Sequence, residues 1–248
     1  MKKSPLFMTA QLPFNVQETV KLNKPMIKMM DDSYNKVLAC RNFKELKIWN
    51  RILASGTKLL EIGCGSGYLL HALYEQGQGC YYGLEPISSE YRKCRQQLRP
   101  LFRQKKIPLK ELDRRVKNST LEKITFKNIK FDYIYSYHVF EHLVNPLLML
   151  AYARKLLSKH GKLVIVTPNV EGALPARDIS SWRCSLSSHR WLPGKTTLIR
   201  ALEHSGFKIN KFFTYGGYPA PRGFLKNMAN LWFKIRNKGD VICIMGEK

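Results

Sequence analysis

An α/β fold with a seven-stranded, mostly parallel sheet and helices on both faces is the class this sequence predicts. Three observations carry the expectation. Short apolar runs of strand length recur at 57–62, 80–85, 114–117, 131–136, 162–167, 207–215 and 241–245. Helical patterns separate most of them, at 67–76, 87–104, 146–158, 194–205 and 222–236. The first run also turns sharply into the first helix through Gly63, Gly65 and Gly67.

Ahead of the first strand, residues 16–49 are helical in pattern and broken at Pro25, with apolar clusters around Met26–Met30 and Phe43–Trp49. In the helix over 87–104, Pro100 is expected to kink or end the element, because proline lacks the N–H that continues a helix. The helix at 146–158 starts on Pro146, a favoured first-turn position, and is expected to end before a turn at Gly161. Residues 168–193 contain Pro, Ser and Trp without a clean period, and a loop that long inside a compact unit is usually functional or unstructured. The pattern divides the chain into an N-terminal helical part, 1–55, and one α/β unit, 56–248, that includes this loop (169–193) and the basic amphipathic helix 222–236.

The glycine turn has the most specific spacing. Strand, Gly-rich turn and helix together lay a ligand across the carboxyl end of a parallel strand, with helix N–H groups facing it. A dinucleotide site would read G-x-G-x-x-G. This turn reads Glu61-Ile62-Gly63-Cys64-Gly65-Ser66-Gly67, and the next strand ends in Glu85-Pro86, with the acid 22 residues after Gly63. An acid at about that distance is placed to accept hydrogen bonds from ribose hydroxyls. Phe131–Leu143 and Leu156–Asn169 follow as further strand-and-turn units.

In this order the four segments resemble class I S-adenosylmethionine-dependent methyltransferases, and the Glu141-His142 pair and His189-Arg190-Trp191 are similar to the small-molecule branch that includes ubiquinone-pathway O-methyltransferases. The resemblance implies a single Rossmann-like domain with an antiparallel edge strand, an N-terminal helical cap, and 169–193 as a lid. It implies S-adenosyl-L-methionine as cofactor, held by Glu61, Gly63, Cys64, Gly65, Gly67, Tyr68, Glu85, Pro86, Ser119, Tyr137 and His138. An acid after the third strand often bonds the adenine amine in this family. Here the segment is Asn118-Ser119-Thr120, which leaves Asn118 or Ser119 for that contact.

Methyl transfer to a protonated oxygen needs a base, and histidine titrates near neutrality. His138, His142 and His189 lie where the fold would put the pocket and could each serve as base. His142 and His189 are the catalytic candidates, and the expected acceptor is a small molecule, anionic or lipid-like, methylated at oxygen. The turn Ser136-Tyr137-His138-Val139 lacks the (Asp/Asn/Ser)-Pro-Pro-aromatic pattern of exocyclic-amine methylation in nucleic acids. The six cysteines are scattered without a C-x-x-C pair, which argues for reduced thiols, no structural metal and a cytoplasmic setting. Met1-Lys2-Lys3 is not followed by the long apolar stretch of a signal peptide.

The charge leaves two rival readings. The net charge is +24; residues 91–130 hold fourteen Lys or Arg against three acids, and 205–238 hold seven and none. Those two surfaces would suit an RNA-binding protein or RNA methyltransferase. Helix 222–236 would suit a non-catalytic, methyltransferase-like protein held peripherally on a membrane.

Overall fold

The computed structural model describes residues 32–124, 126–173, 189–216 and 224–248, and every predicted strand is present in it. The strands are β1 (Lys58–Ile62), β2 (Cys80–Leu84), β3 (Val116–Lys117), β4 (Phe131–Tyr137), β5 (Leu157–Pro168), β6 (Lys208–Tyr215) and β7 (Val241–Glu247). The longer helices are α1 (Asp32–Glu45), α2 (Trp49–Leu53), α3 (Tyr68–Gln76), α4 (Ser88–Gln104), α5 (Leu109–Arg115), α6 (Pro146–Leu156), α7 (Lys195–His204) and α8 (Phe224–Ile235). The predicted helical run before Asp32, most of the 169–193 loop and the first residues of helix 222–236 lie outside the described residues.

The sheet order is β3-β2-β1-β4-β5-β7-β6. β1 to β5 pair in parallel, whereas β7 runs antiparallel to both β5 and β6. The edge strand β6 therefore joins by antiparallel pairing, and the strand that reverses direction, β7, is inserted one place in from that edge.

Alternation along each strand splits the core into two layers. Leu59, Tyr81, Tyr135, Val164 and Cys243 face one way and pack with Phe43 of α1, Leu70 of α3 and Phe102 of α4. Leu60, Leu84, Ile134, Ile165 and Ile244 face the other and pack with Met149 of α6 and Leu202 of α7. With helices on both faces, the central strands read as near-continuous apolar runs.

Three local expectations need correction. Pro100 neither ends nor interrupts α4, which continues to Gln104. Cys94, Leu98, Leu101 and Phe102 are buried on both sides of the proline, so tertiary packing holds the helix where local preference would break it. Arg114 and Arg115 belong to the last turn of α5, not to the third strand, which is only two residues long. The segment before Lys162 is a bulge within β5 and not a turn ahead of it: Leu157 pairs with Phe131 and Lys162 with Tyr133. A Cβ at Gly161 would stand 2.9 Å from the Phe131 carbonyl oxygen, which explains the glycine in the bulge.

Candidate functional site

The parallel strands deliver four segments to one edge of the sheet: 63–67 after β1, 85–87 after β2, 138–142 after β4 and 169–173 after β5. All three loop glycines have positive φ, at 70° for Gly63, 50° for Gly65 and 86° for Gly67. Only two of them are crowded. A Cβ on Gly63 would lie 2.3 Å from Val139 Cγ2, and one on Gly67 would lie 2.4 Å from Cys94 Sγ. A Cβ on Gly65 would meet no atom within 4 Å, so that α-carbon faces open space. The loop thus packs against the turn after β4 and against α4, with the half-buried Gly65 at its crest.

Glu85 joins the two loops. Its carboxylate accepts hydrogen bonds from the Gly65 amide and the Ile87 amide, both at 2.8 Å. Burial pushes its pKa up, and these two bonds pull against the rise. The amides of Gly63 and Cys64 both donate to the Leu84 carbonyl, which continues the β1–β2 pairing into the loop. The Cys64 side chain is buried, and its thiol is pushed well up by a hydrogen bond with Cys94 and by burial. Only its backbone therefore belongs to the loop's outer surface. Tyr68 opens α3 and is half-buried.

Glu61 lies at the end of β1, 6% exposed, and its Oε2 has no hydrogen-bond partner among the described residues. Burial raises its pKa well above the ordinary value, with the nearby Cys94 and Glu85 adding to the rise. A buried carboxyl without a partner is costly unless a cation or donor completes it.

Asn118 donates from Nδ2 to the carbonyls of Glu85 and Pro86 at 2.7 and 3.0 Å, and its Oδ1 accepts from Ser88 at 2.9 Å. Ser119 donates to the Thr120 carbonyl at 3.1 Å. Asn118 is thus committed to holding the turn that presents Glu85, a role its position in the sequence does not reveal. Ile87, 59% exposed, stands beside that carboxylate as an apolar wall.

The turn after β4 holds a second polar assembly. His138 has the left-handed φ of 51°, uncommon for a residue with a side chain and concentrated at functional sites. Its Nδ1 lies 2.7 Å from Glu141 Oε1, and Glu141 Oε2 accepts from the Thr167 hydroxyl at 2.9 Å. The Glu141 side chain is fully buried. Burial alone would raise its pKa, but the His138 hydrogen bond and charge, with help from Thr167, bring it below the ordinary value. Tyr137 packs edge-on against the His138 ring at 4.6 Å and stacks on Tyr135 at 6.3 Å.

The structure also brings His142 and His189 together, with ring centroids 4.7 Å apart. The backbone amides of Arg190 and Trp191 donate to the Glu141 carbonyl at 2.8 and 3.1 Å. Trp191 Nε1 donates to the Leu143 carbonyl at 2.6 Å. Three bonds therefore fix the 189–191 segment on the turn that carries Glu141 and His142. Metal-ligand atoms of Glu141, His142 and His189 lie within 4.8 Å of one another, although both Glu141 oxygens already accept protein hydrogen bonds.

A family model for a methyltransferase domain matches residues 32–211, most of the chain. The chain belongs to that methyltransferase family. With the glycine turn and this strand order, it is a class I S-adenosylmethionine-dependent methyltransferase domain, and S-adenosylmethionine is its cofactor. Solved structures with the same fold include a SAM-dependent methyltransferase from Archaeoglobus fulgidus (TM-score 0.58, 16% identical, covering 91% of this chain and 100% of that one). Another is the magnesium protoporphyrin IX methyltransferase from Synechocystis PCC 6803 with bound SAM (TM-score 0.58, 12% identical, covering 93% and 86%). At these identities the likeness concerns the fold.

Curated relatives include the tRNA U34 carboxymethyltransferases of Trichodesmium erythraeum, 25% identical over 75% of this chain and 56% of that protein, and of Idiomarina loihiensis, 29% identical over 64% and 50%. The chain spans about half the length of the curated relatives it matches.

Proposed function

We propose that this methyltransferase acts on a dissociable oxygen of a small molecule, with His138 as the base. The observation that supports this reading is the hydrogen-bonded line Thr167–Glu141–His138 at the carboxyl end of β4. A buried carboxylate at Nδ1 favours the tautomer with the proton on Nδ1, which leaves Nε2 to take a proton from an acceptor hydroxyl, and it stabilises the imidazolium that results. His142 and His189 would then line the acceptor side of the site, and of the three histidines offered by the sequence the base is His138, which the resemblance also assigns to the cofactor.

The residues around the glycine loop fit the cofactor. Gly65 faces open space, Glu61 holds a buried oxygen that lacks a partner, and Glu85 is fixed against the loop. Glu61 would meet the cationic amino-acid end and Glu85 the ribose hydroxyls. Ile87 would flank the adenine. When bound, S-adenosylmethionine supplies an electrophilic methyl carbon; the protein aligns the acceptor, excludes water and removes the acceptor's proton.

A second reading, transfer to tRNA, has its own support in the tRNA U34 carboxymethyltransferases among the relatives and in the net charge of +24. Transfer of a labelled group from the cofactor to a panel of phenols and hydroxy acids, beside bulk tRNA, separates the two. Label in the small molecules that is lost in His138→Asn, with cofactor binding retained, supports the first. Label in tRNA alone, or full transfer by His138→Asn, overturns it.

A further inference from the structure

Seven large hydrophobic side chains among the described residues are exposed, and four of them lie on α8. Met228 is 54% exposed, Leu231 56%, Trp232 53% and Ile235 69%. Their positions are i, i+3, i+4 and i+7, which is one face of a helix. In a globular domain such a stripe normally turns inward. Here the opposite side is the anchored one. Lys234 Nζ pairs with Glu45 Oε1 of α1 at 2.7 Å and sits 5.7 Å from the Phe213 ring of β6. Beyond the helix, the Lys238 amide donates to the Phe233 carbonyl, and the Lys238 carbonyl accepts from Ala173. The helix is tied to the sheet at its back, and the apolar stripe is its outer surface.

The topology says which way this surface faces. β6 ends at Tyr215, paired with Val241 where β7 begins, and Val241 also pairs with Pro168 at the end of β5. The connection that carries α8 therefore leaves and re-enters the sheet at its carboxyl edge. That is the edge holding the glycine loop, Glu85 and His138.

We infer that α8 is a docking surface for an anionic lipid bilayer, lying in the plane of the interface beside the active-site edge. Charge selects this occupant. Residues 205–238 carry seven Lys or Arg and no acid, and Arg236 and Lys238 are exposed next to the stripe. An apolar helix face flanked by basic residues, with a tryptophan among them, inserts shallowly at the headgroup boundary and gains from anionic lipid. A nucleic-acid surface would instead set aromatic and arginine side chains toward the bases, whereas three of these four side chains are aliphatic or thioether. No helix among the described residues is long and apolar enough to cross a membrane. Docking brings the acceptor side of the site to the bilayer surface.

The test is co-sedimentation of the full chain with phosphatidylcholine vesicles, with and without phosphatidylglycerol. Binding is expected to the anionic vesicles, to weaken as salt rises, and to fall by about tenfold or more in the double variant Leu231→Glu, Trp232→Glu, since two large side chains would leave the lipid. The variant changes exposed positions, so its thermal melt and its affinity for S-adenosylhomocysteine should match the parent. Failure to bind anionic vesicles, equal binding by the variant, or equal binding to neutral vesicles overturns the inference. So does a concentration-dependent dimer, seen by light scattering and abolished by the variant, or binding of bulk RNA that the same variant abolishes. Each of these leaves the methyl-transfer reading untouched, because none measures turnover.

Discussion

Glu85 Oε2 accepts a hydrogen bond from the amide of Gly65 at 2.8 Å, so the acid at the end of β2 is built into the loop after β1. Its other oxygen holds the Ile87 amide at the same distance. One carboxylate thus sets both the crest of the glycine loop and the start of α4. Glu85→Ala should lower stability by about 2 kcal/mol or more, because two amides in a largely buried site lose their acceptor. It should also weaken S-adenosylhomocysteine binding. Chemical denaturation beside calorimetric titration checks both; an unchanged denaturation midpoint would mean the bonds do not shape the loop.

Glu61 predicts a pH dependence whose sign follows from burial. Its folded pKa lies well above the ordinary 4.5, so the folded protein favours the neutral acid. The stabilisation this represents is complete below 4.5 and is lost as pH rises through the raised folded value. Cofactor-free Glu61→Gln should therefore melt higher than the parent by a margin that widens with rising pH. The same change should weaken cofactor binding, since an amide cannot balance a cation. Parallel melting curves across the pH range would contradict the first half.

Glu141 shifts the other way. Its folded pKa is depressed, so its contribution is present above the ordinary carboxylate value and lost as pH falls through the folded one. Glu141→Gln should remove that acid-side loss and change the pH profile of transfer, because His138 loses its charged partner. His138→Ala should cost about 10²–10⁴-fold in kcat, the usual worth of a general base, with cofactor affinity kept. A profile unchanged in Glu141→Gln would leave Glu141 as a packing residue.

Gly63 separates crowding from backbone conformation. Gly63→Ala should destabilise the protein by about 1–3 kcal/mol, from the clash with Val139 and the left-handed φ together. Adding Val139→Ala removes the clash but not the conformational cost, so denaturation should show partial recovery. Full recovery would mean the positive φ costs nothing.

The Glu141, His142 and His189 cluster yields a prediction about metal. With both Glu141 oxygens committed to His138 and Thr167, protein purified without added metal should contain far less than one equivalent of transition metal. Chelator should leave its melting temperature unchanged. Stoichiometric zinc that stabilises the fold, and does not in His189→Ala, would reassign the cluster as a metal centre.

The sheet was legible because the central strands are near-continuous apolar runs and the glycine turn has a spacing few other sites share. Pro100 misled because its penalty is local, while the burial of Cys94, Leu98 and Phe102 that overrides it comes from residues distant in sequence. The bulge before Lys162 was hidden because a glycine marks a turn and a bulge alike. At the site, spacing pointed to the glycines and Glu85, and the family resemblance to Glu61. The contact between Glu141 and Thr167 spans 26 residues and depends on β4 pairing with β5, so no local pattern announces it. That contact is what moves attention from His142 to His138. Asn118 stood beside Ser119 as a cofactor candidate for want of an acid, and its hydrogen bonds to Glu85 and Pro86, which no sequence pattern announces, hold the turn that presents Glu85.

Calorimetric titration of the intact protein with S-adenosylhomocysteine tests the central claim most directly. The parent should give saturable one-site binding, and Gly65→Val, whose side chain would enter the open space above the loop, should give none while melting cooperatively. No binding by the parent, or equal binding by Gly65→Val, would contradict the claim that this loop seats the cofactor.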